Sequence, residues 1–146
     1  MKSNGKRILL VEDDPDAVEL TLIGFRECGI ECGIAVALDG SEALDYLFSS
    51  GKFNGRRRGM PDLVLLDLNL PKVSGHEVLK RLKDDKRTEE VPIVIFSVSN
   101  EERDRDLAYR NRANSYIRKP VDFERYKEVL KGVADYWLSL NEPPPF

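Results

Sequence analysis

The stretch Pro61-Asp62-Leu63-Val64-Leu65-Leu66-Asp67-Leu68-Asn69-Leu70-Pro71 decides the fold of this 146-residue chain. It is a nearly continuous apolar run that carries an aspartate, Asp67, near its end and then turns at a proline. A run of this kind is typical of a strand buried on both faces of a parallel sheet. A charge at the end of such a strand is costly unless a neighbouring group balances or uses it. Asp67 is therefore the first candidate functional residue.

Three other apolar runs also end in polar groups, which are Glu12-Asp13-Asp14, Ser97 and Lys119-Pro120. Strand and helix patterns alternate along the chain. Strands are predicted at 7–11, 33–38, 63–68, 91–96 and 115–117, and helices at 15–28, 41–50, 75–83, 101–111 and 123–140. Asp14 is predicted to cap the first helix, and Ser99-Asn100-Glu101-Glu102 has the spacing of a capping box at the start of the fourth. The alternation predicts an α/β fold, a single doubly wound parallel sheet with helices on both faces. Ligands of such sheets bind at the carboxyl ends of the strands, where these polar groups fall.

Composition narrows the classes of function. Hydrophobic residues make up 41% and charged residues 34%, which predicts one soluble domain over residues 1–146. The net charge of −3 argues against nucleic-acid binding. Neither a membrane-spanning run nor a signal-peptide core occurs in the sequence. Cys28 and Cys32 form no CxxC motif and are interpreted as reduced thiols of a cytoplasmic protein.

The candidate site combines carboxylates with a lysine and a hydroxyl. Glu12, Asp13 and Asp67 cannot all stay ionised at close quarters without a counter-charge, and an all-oxygen set favours Mg²⁺. Lys119 supplies a point charge suited to a phosphoryl group, and Ser97 supplies a hydroxyl. This combination is suited to placing a phosphoryl group on a carboxylate oxygen. The single histidine, His76, follows Gly75 at a helix start and is interpreted as a solvated surface residue.

At these residues the chain resembles the receiver domain of bacterial two-component response regulators. The resemblance covers about residues 6–135, leaves 136–146 as a C-terminal extension, and implies a flavodoxin-like sheet with strand order 2-1-3-4-5. It also implies a cis Lys119–Pro120 bond. The resemblance implies that Mg²⁺ is bound by the acidic pair Glu12 and Asp13, by the phosphoacceptor Asp67 and by the backbone carbonyl of Asn69. It also implies that Ser97 is the switch hydroxyl, that Lys119 contacts the phosphoryl group and that Tyr116 is the aromatic residue that rotates.

The segments 51–60 and 135–145 resemble those of a stand-alone receiver subgroup partnered with bacteriophytochrome-type histidine kinases. The resemblance implies a sensor histidine kinase as phosphodonor and a signalling domain rather than an enzyme, with self-catalysed phosphotransfer and slow autodephosphorylation only. The 3–4 spacing of apolar residues in the last helix predicts a core stripe of Phe123, Tyr126, Leu130, Val133, Trp137 and Leu140. Apolar residues on a second face of this helix, Val129, Tyr136 and Leu138, predict a homodimer through the helix and the tail. Arg56-Arg57-Arg58 is either a solvated loop or a docking site for an acidic partner.

Two residues depart from the family pattern. Val98 stands after the switch hydroxyl, where a small residue is usual, and is expected to narrow access to Asp67. Arg112 replaces a helix-ending glycine; if that position needs a positive φ, arginine costs about 1–2 kcal/mol unless Asn111 takes the turn.

Two other classes of function remain as alternatives. One is an interaction module that works without phosphorylation. The other is a haloacid-dehalogenase-like phosphatase, which Asn69 opposes because those enzymes carry a second aspartate at that position. Nucleotide-binding glycine motifs are absent from the sequence.

Overall fold

The computed structural model describes residues 2–56 and 59–145. Within them, five parallel strands form one sheet in the order β2-β1-β3-β4-β5. The strands are β1 (Lys2–Val11), β2 (Glu31–Ala37), β3 (Leu63–Leu66), β4 (Ile93–Ser97) and β5 (Ser115–Arg118). The α-helices are α1 (Pro15–Glu27), α2 (Gly40–Leu47), α3 (Gly75–Lys83), α4 (Glu102–Arg110) and α5 (Phe123–Asp135). The predicted fold class and strand order are confirmed.

The apolar strands carry a separate core on each face of the sheet. Leu9 and Val11 of β1 pack in one cluster with α2, α3 and Ala108 of α4. Ile8 and Leu10 pack in the other cluster with α1 and α5. Successive residues of a strand face opposite sides, so a run without polar residues serves both cores. Every helix among the described residues is too short or too polar to cross a membrane.

Helix starts follow local capping, with one exception. Asp14 caps α1 as predicted, because its Oδ1 accepts the amide hydrogen of Asp16 at 3.0 Å. The capping box predicted at Ser99 is wrong, since α4 begins after Glu101. The hydroxyl of Ser99 donates instead to Asp104 Oδ2 at 2.6 Å, so it is directed at a side chain of the helix.

The last helix changes its winding near its end. α5 passes into a π-helical turn at Tyr136–Leu140, closed by the amide of Asn141 and the carbonyl of Tyr136, five residues apart. The extra residue in this turn rotates the following side chains. Leu138, expected on the exposed second face, is buried at 5%, whereas Leu140, expected in the core stripe, is 73% exposed. The prediction of one regular helix to residue 140 is therefore wrong.

Two backbone expectations have different outcomes. Arg112 does take the left-handed conformation, with φ of 70°, and Asn111 remains outside that region at −87°. The Lys119–Pro120 bond is trans, so the expected cis bond is wrong. Trans is the lower-energy isomer of a prolyl bond, and here the amide of Lys119 still donates to the Ser97 carbonyl at 2.7 Å.

Arg56 is held within the molecule rather than solvated. Its guanidinium lies 4.1 Å from the centroid of the Tyr46 ring, and its Nε donates to the Tyr46 carbonyl at 3.0 Å. These contacts fasten the loop after the 3₁₀ turn Gly51–Phe53 onto α2. Arg57 and Arg58 lie outside the described residues, and the docking alternative for them stays a prediction.

Candidate phosphoacceptor and metal site

The predicted site residues meet at one edge of the sheet. Glu12 follows β1, Asp67 follows β3, Ser97 ends β4 and Lys119 follows β5. These strands are neighbours in the sheet, so their carboxyl ends present the side chains to one region. The parallel topology thus brings together groups that are up to 107 residues apart in sequence.

Three carboxylates form the acidic part of the site. One oxygen from each of Glu12, Asp13 and Asp67 lies within 4.8 Å of the others. Glu12 and Asp67 are buried, and Asp13 is exposed. Burial raises the pKa of Glu12 above its usual value, and the charge of Asp67 adds to this effect against the hydrogen bond from Lys119. Such a cluster needs a cation, and its oxygen-only donors fit a hard divalent ion.

Lys119 provides a resident positive charge. Its Nζ donates to Asp67 Oδ2 at 3.1 Å and also contacts Glu12 Oε1. Burial disfavours the charged ammonium, but the hydrogen bond to Glu12 and the charge of Asp67 outweigh it and raise the pKa of Lys119. The ammonium also lies 5.7 Å from the Phe96 ring centroid. Lys119 is therefore charged and directed at the carboxylate that would react.

Asn69 and Gly75 shape the loop that follows Asp67. The amide of Asn69 donates a long hydrogen bond, 3.4 Å, to Asp67 Oδ1, and its side chain is exposed. The predicted role of the Asn69 carbonyl as a metal ligand stays a prediction. At Gly75 a Cβ atom would overlap the carbonyl oxygen of Asp67, so glycine is required where α3 packs against the loop. The residue pattern alone gives no indication of this requirement.

A cleft of about 520 Å³ opens over the carboxylates. Its polar lining includes Glu12, Asp13, Asp67, Asn69 and Lys119, and its apolar lining includes Ala17, Leu20, Val98, Pro120 and Tyr126. Val98 lines this cleft and is 64% exposed, and its expected effect on access to Asp67 stays a prediction. The cleft is wide enough for a phosphoryl group, and its charged lining consists of the carboxylates and Lys119.

The two proposed switch residues meet at Ser99. Ser97 is fully buried, and its Oγ accepts the amide hydrogen of Ser99 at 3.2 Å. The hydroxyl of Tyr116 donates to the Ser99 carbonyl at 3.1 Å. Their roles in switching stay predictions, but both contact the same loop residue.

Two side-chain contacts near the site could not be predicted from the sequence. Tyr126 was assigned to the core stripe, yet it also lines the cleft and its hydroxyl bonds Thr21 Oγ1 at 2.9 Å. His76 was interpreted as solvated, which is wrong, because it is half-buried and its Nε2 lies 3.2 Å from Asp104 Oδ1. Neither partner is close in sequence, so spacing carried no signal for these contacts.

Comparison with known proteins assigns the family. The response regulator receiver domain family matches residues 8–131. The chain belongs to this family. It is thus a receiver of two-component signalling, a signalling domain whose task is to accept a phosphoryl group. The probable methanogenesis regulatory protein FilR2 of Methanothrix harundinacea is 41% identical to this chain. The match covers 94% of this chain and 86% of FilR2.

Solved phytochrome-associated receivers have the same fold. The phosphorylated cyanobacterial phytochrome response regulator RcpA superposes with a TM-score of 0.89, at 34% identity over 96% of this chain and 99% of RcpA. The Mn²⁺-bound form of the response regulator Rcp1 superposes at 0.87, with 30% identity over 95% of this chain and 99% of that chain. Rcp1 comes from Synechocystis. The receiver therefore resembles one structure that carries a phosphoryl group and one that holds a divalent metal.

Proposed function

We propose that Asp67 of this receiver accepts a phosphoryl group from the phosphohistidine of a partner sensor histidine kinase. The observation that carries the proposal is the charged Lys119 held between Asp67 and Glu12 beside an open cleft. A carboxylate oxygen of Asp67 forms the new bond to phosphorus while the phosphorus–nitrogen bond breaks. The electron pair returns to the imidazole, which then takes up a proton.

The surrounding residues prepare this transfer. Glu12, Asp13 and Asp67, with the carbonyl of Asn69, would hold Mg²⁺, which neutralises charge on the phosphoryl oxygens when bound. Lys119 adds a second positive charge for the same oxygens. Ser97 then donates its hydroxyl to the phosphoryl group, and Tyr116 changes its contacts with the Ser99 loop. Mg²⁺ is proposed over softer ions such as Zn²⁺ because the donors are all oxygens. It is proposed over Ca²⁺ because a few carboxylates completed by water and phosphoryl oxygens suit Mg²⁺.

The receiver acts as a switch and performs no turnover chemistry on other substrates. Asn69 offers no acid or base two residues after Asp67, so the only reactions proposed are self-catalysed phosphotransfer and slow hydrolysis. The kinase is proposed to be of the phytochrome class, since RcpA is a phytochrome response regulator. We place the protein in the cytoplasm, as a single receiver over 1–146 that signals without binding nucleic acid.

A second copy of the chain is the proposed partner for output. The exposed large apolar residues of the C-terminal part include Val121, Tyr136 and Leu140. Tyr136 lines a groove of about 520 Å³ between β5 and α5, together with Ile117, Val129 and Trp137. Val121 lines a neighbouring pocket that shares Ile117 and Val129 with this groove. Exposed apolar surface along a groove is typical of protein contacts. We therefore propose a homodimer through α5, its π-helical turn and the tail 141–146.

The test is phosphate-affinity electrophoresis of the purified protein with Mg²⁺ and acetyl phosphate, and then with a phosphorylated histidine kinase. We expect a retarded band in wild type and none in Asp67→Asn. Asp62→Asn is the matched control, because Asp62 precedes the same strand at its opposite end. A wild-type protein that neither donor shifts would refute the proposal and favour the phosphorylation-independent interaction module.

A further inference from the structure

Ser99 is hydrogen-bonded to both switch residues and to a half-buried set of polar side chains on the neighbouring helices. Its backbone amide donates a hydrogen bond to Ser97 Oγ, and its backbone carbonyl accepts one from the Tyr116 hydroxyl. Its hydroxyl donates to Asp104 Oδ2 at 2.6 Å, and Asp104 Oδ1 lies 3.2 Å from His76 Nε2. We call Ser99, Asp104 and His76 the Ser99 chain. It joins the loop after β4 to the first turns of α4 and α3.

The direction of each hydrogen bond follows from the charge of Asp104. The hydrogen bond from Ser99 is the main cause that lowers the pKa of Asp104, and the bond with His76 adds to it against burial. The carboxylate is therefore ionised and can only accept, so Ser99 Oγ and His76 Nε2 both donate. Ser99 Oγ in turn accepts the amide hydrogen of Glu101 at 3.3 Å.

The side chain of Ser99 thus has little freedom to follow a movement of Ser97. If Ser97 turns its hydroxyl to a phosphoryl group on Asp67, its bond with the Ser99 amide has to change. If Tyr116 moves away, the carbonyl of Ser99 loses its hydrogen bond, so the movement of Tyr116 also affects Ser99. Any such rearrangement acts against the charge-assisted bond between Ser99 and Asp104, which is stronger than a neutral one.

We propose that Asp104 and His76 are positioning residues that hold the Ser99 loop in its unphosphorylated arrangement. In this way they set how readily the phosphorylated arrangement forms. His76 acts through Asp104, because its ring fixes the orientation of the carboxylate that binds Ser99. The inference rests on the proposed roles of Asp67, Ser97 and Tyr116, and it assigns a function to two residues outside the phosphorylation site.

The first experiment measures amide hydrogen exchange of Ser99 and Glu101 by NMR in the unphosphorylated protein. Asp104→Ala removes the acceptor, so we expect both amides to exchange about tenfold faster. His76→Ala should give a smaller increase, and His76→Gln should reverse part of it because its amide can donate to Asp104. Asp106→Ala is the matched control, since Asp106 lies on the same helix and pairs only with Arg110 among the contacts described. Unchanged exchange in Asp104→Ala would overturn the inference.

The second experiment titrates each variant with beryllofluoride and Mg²⁺, a stable mimic of the phosphoryl group. Weakening the unphosphorylated arrangement should tighten beryllofluoride binding about fivefold in Asp104→Ala and leave Asp106→Ala unchanged. If the Ser99 chain had a merely structural role, Asp104→Ala would not bind beryllofluoride more tightly. Equal or weaker binding in Asp104→Ala would overturn the inference while leaving the proposed function intact. Failure of the wild type to bind would refute the proposed function, and the inference with it.

Discussion

Lys119 Nζ lies 3.1 Å from Asp67 Oδ2, so the predicted phosphoacceptor already has a cation as its partner. The same ammonium contacts Glu12, and the side chains of all three residues are at most 11% exposed. The positive charge of Lys119 thus offsets part of the negative charge of the three carboxylates. A metal ion and a phosphoryl group would each change this charge balance, so the contact between Lys119 and Asp67 is sensitive to both.

We expect Lys119→Met to lower the free energy of unfolding by about 1–3 kcal/mol, because it leaves two buried carboxylates unpaired. Mg²⁺ should restore more stability to this variant than it adds to wild type, since it supplies the missing charge. Urea unfolding with and without Mg²⁺ checks both effects. Lys131→Met, which removes an exposed partner of Asp135, is the control. An equal Mg²⁺ effect in wild type and Lys119→Met would contradict the prediction.

Val98→Ala should speed both phosphorylation by acetyl phosphate and the later hydrolysis, by up to about tenfold, because the smaller side chain opens the cleft over Asp67. Stability should change by less than about 0.5 kcal/mol, because Val98 is exposed. Time courses of phosphate-affinity electrophoresis measure the rates. Leu107→Ala truncates another exposed apolar residue away from the cleft and should leave them unchanged. Rates unaffected by Val98→Ala would show that this side chain does not limit access.

Arg112→Gly should raise the free energy of unfolding by about 0.5 kcal/mol. Relief of the positive φ gains about 1 kcal/mol, and the exposed ion pair with Asp84 that is lost contributes little. Asn111→Gly places the same residue one position earlier, where φ is negative, and should instead cost about 0.5–1 kcal/mol. Chemical denaturation of both variants tests the contrast. A loss of stability in Arg112→Gly would show that the ion pair outweighs the backbone strain.

Lys83 is buried, and its Nζ donates to the carbonyls of Glu89 and Val91 and to Asn114 Oδ1. Lys83→Met should cost about 1–3 kcal/mol at neutral pH, because these oxygens lose their donor.

Burial, aided by the charge of Arg112, lowers the pKa of Lys83 below 10.5. Between the lowered pKa and 10.5 the unfolded chain binds more protons at this residue than the folded protein. The stability of wild type relative to Lys83→Met should therefore rise with pH across this window. Urea unfolding of both proteins at neutral and alkaline pH gives the difference. If the stability difference between wild type and Lys83→Met shrinks as the pH rises, the pKa of Lys83 is not lowered by folding and the prediction is contradicted.

Leu140→Asp should convert the proposed dimer to a monomer, because it places a charge on the exposed face of the π-helical turn. The fold should be retained, since Leu140 is 73% exposed, unlike the buried Leu138. Light scattering coupled to size exclusion measures the mass. Leu107→Asp, which adds the same charge at another exposed leucine on α4 and outside the proposed interface, is the control. A wild-type monomer, or a Leu140→Asp dimer, would exclude this surface as the interface.

Much of the fold could be predicted because it depends on local pattern. The composition of the run 63–68 predicts a two-sided strand, of which β3 is Leu63–Leu66, and α3 begins and ends where its apolar spacing and flanking residues predict. The site followed, since polar residues at the ends of parallel strands share one edge. The end of α5 could not be predicted, because a change to π winding depends on which side chains the sheet can bury.

The sequence by itself determined the alternation of strands and helices and the set of groups at the strand ends, because both follow from residue type and spacing. Only the tertiary structure decided that Lys119 pairs with Asp67 and Glu12, that Ser99 binds Asp104 rather than capping its helix, and that His76 is half-buried. Each of these contacts joins residues on different elements or offers a side chain more than one partner. The choice among partners is made by packing and charge in three dimensions, which a linear pattern does not contain.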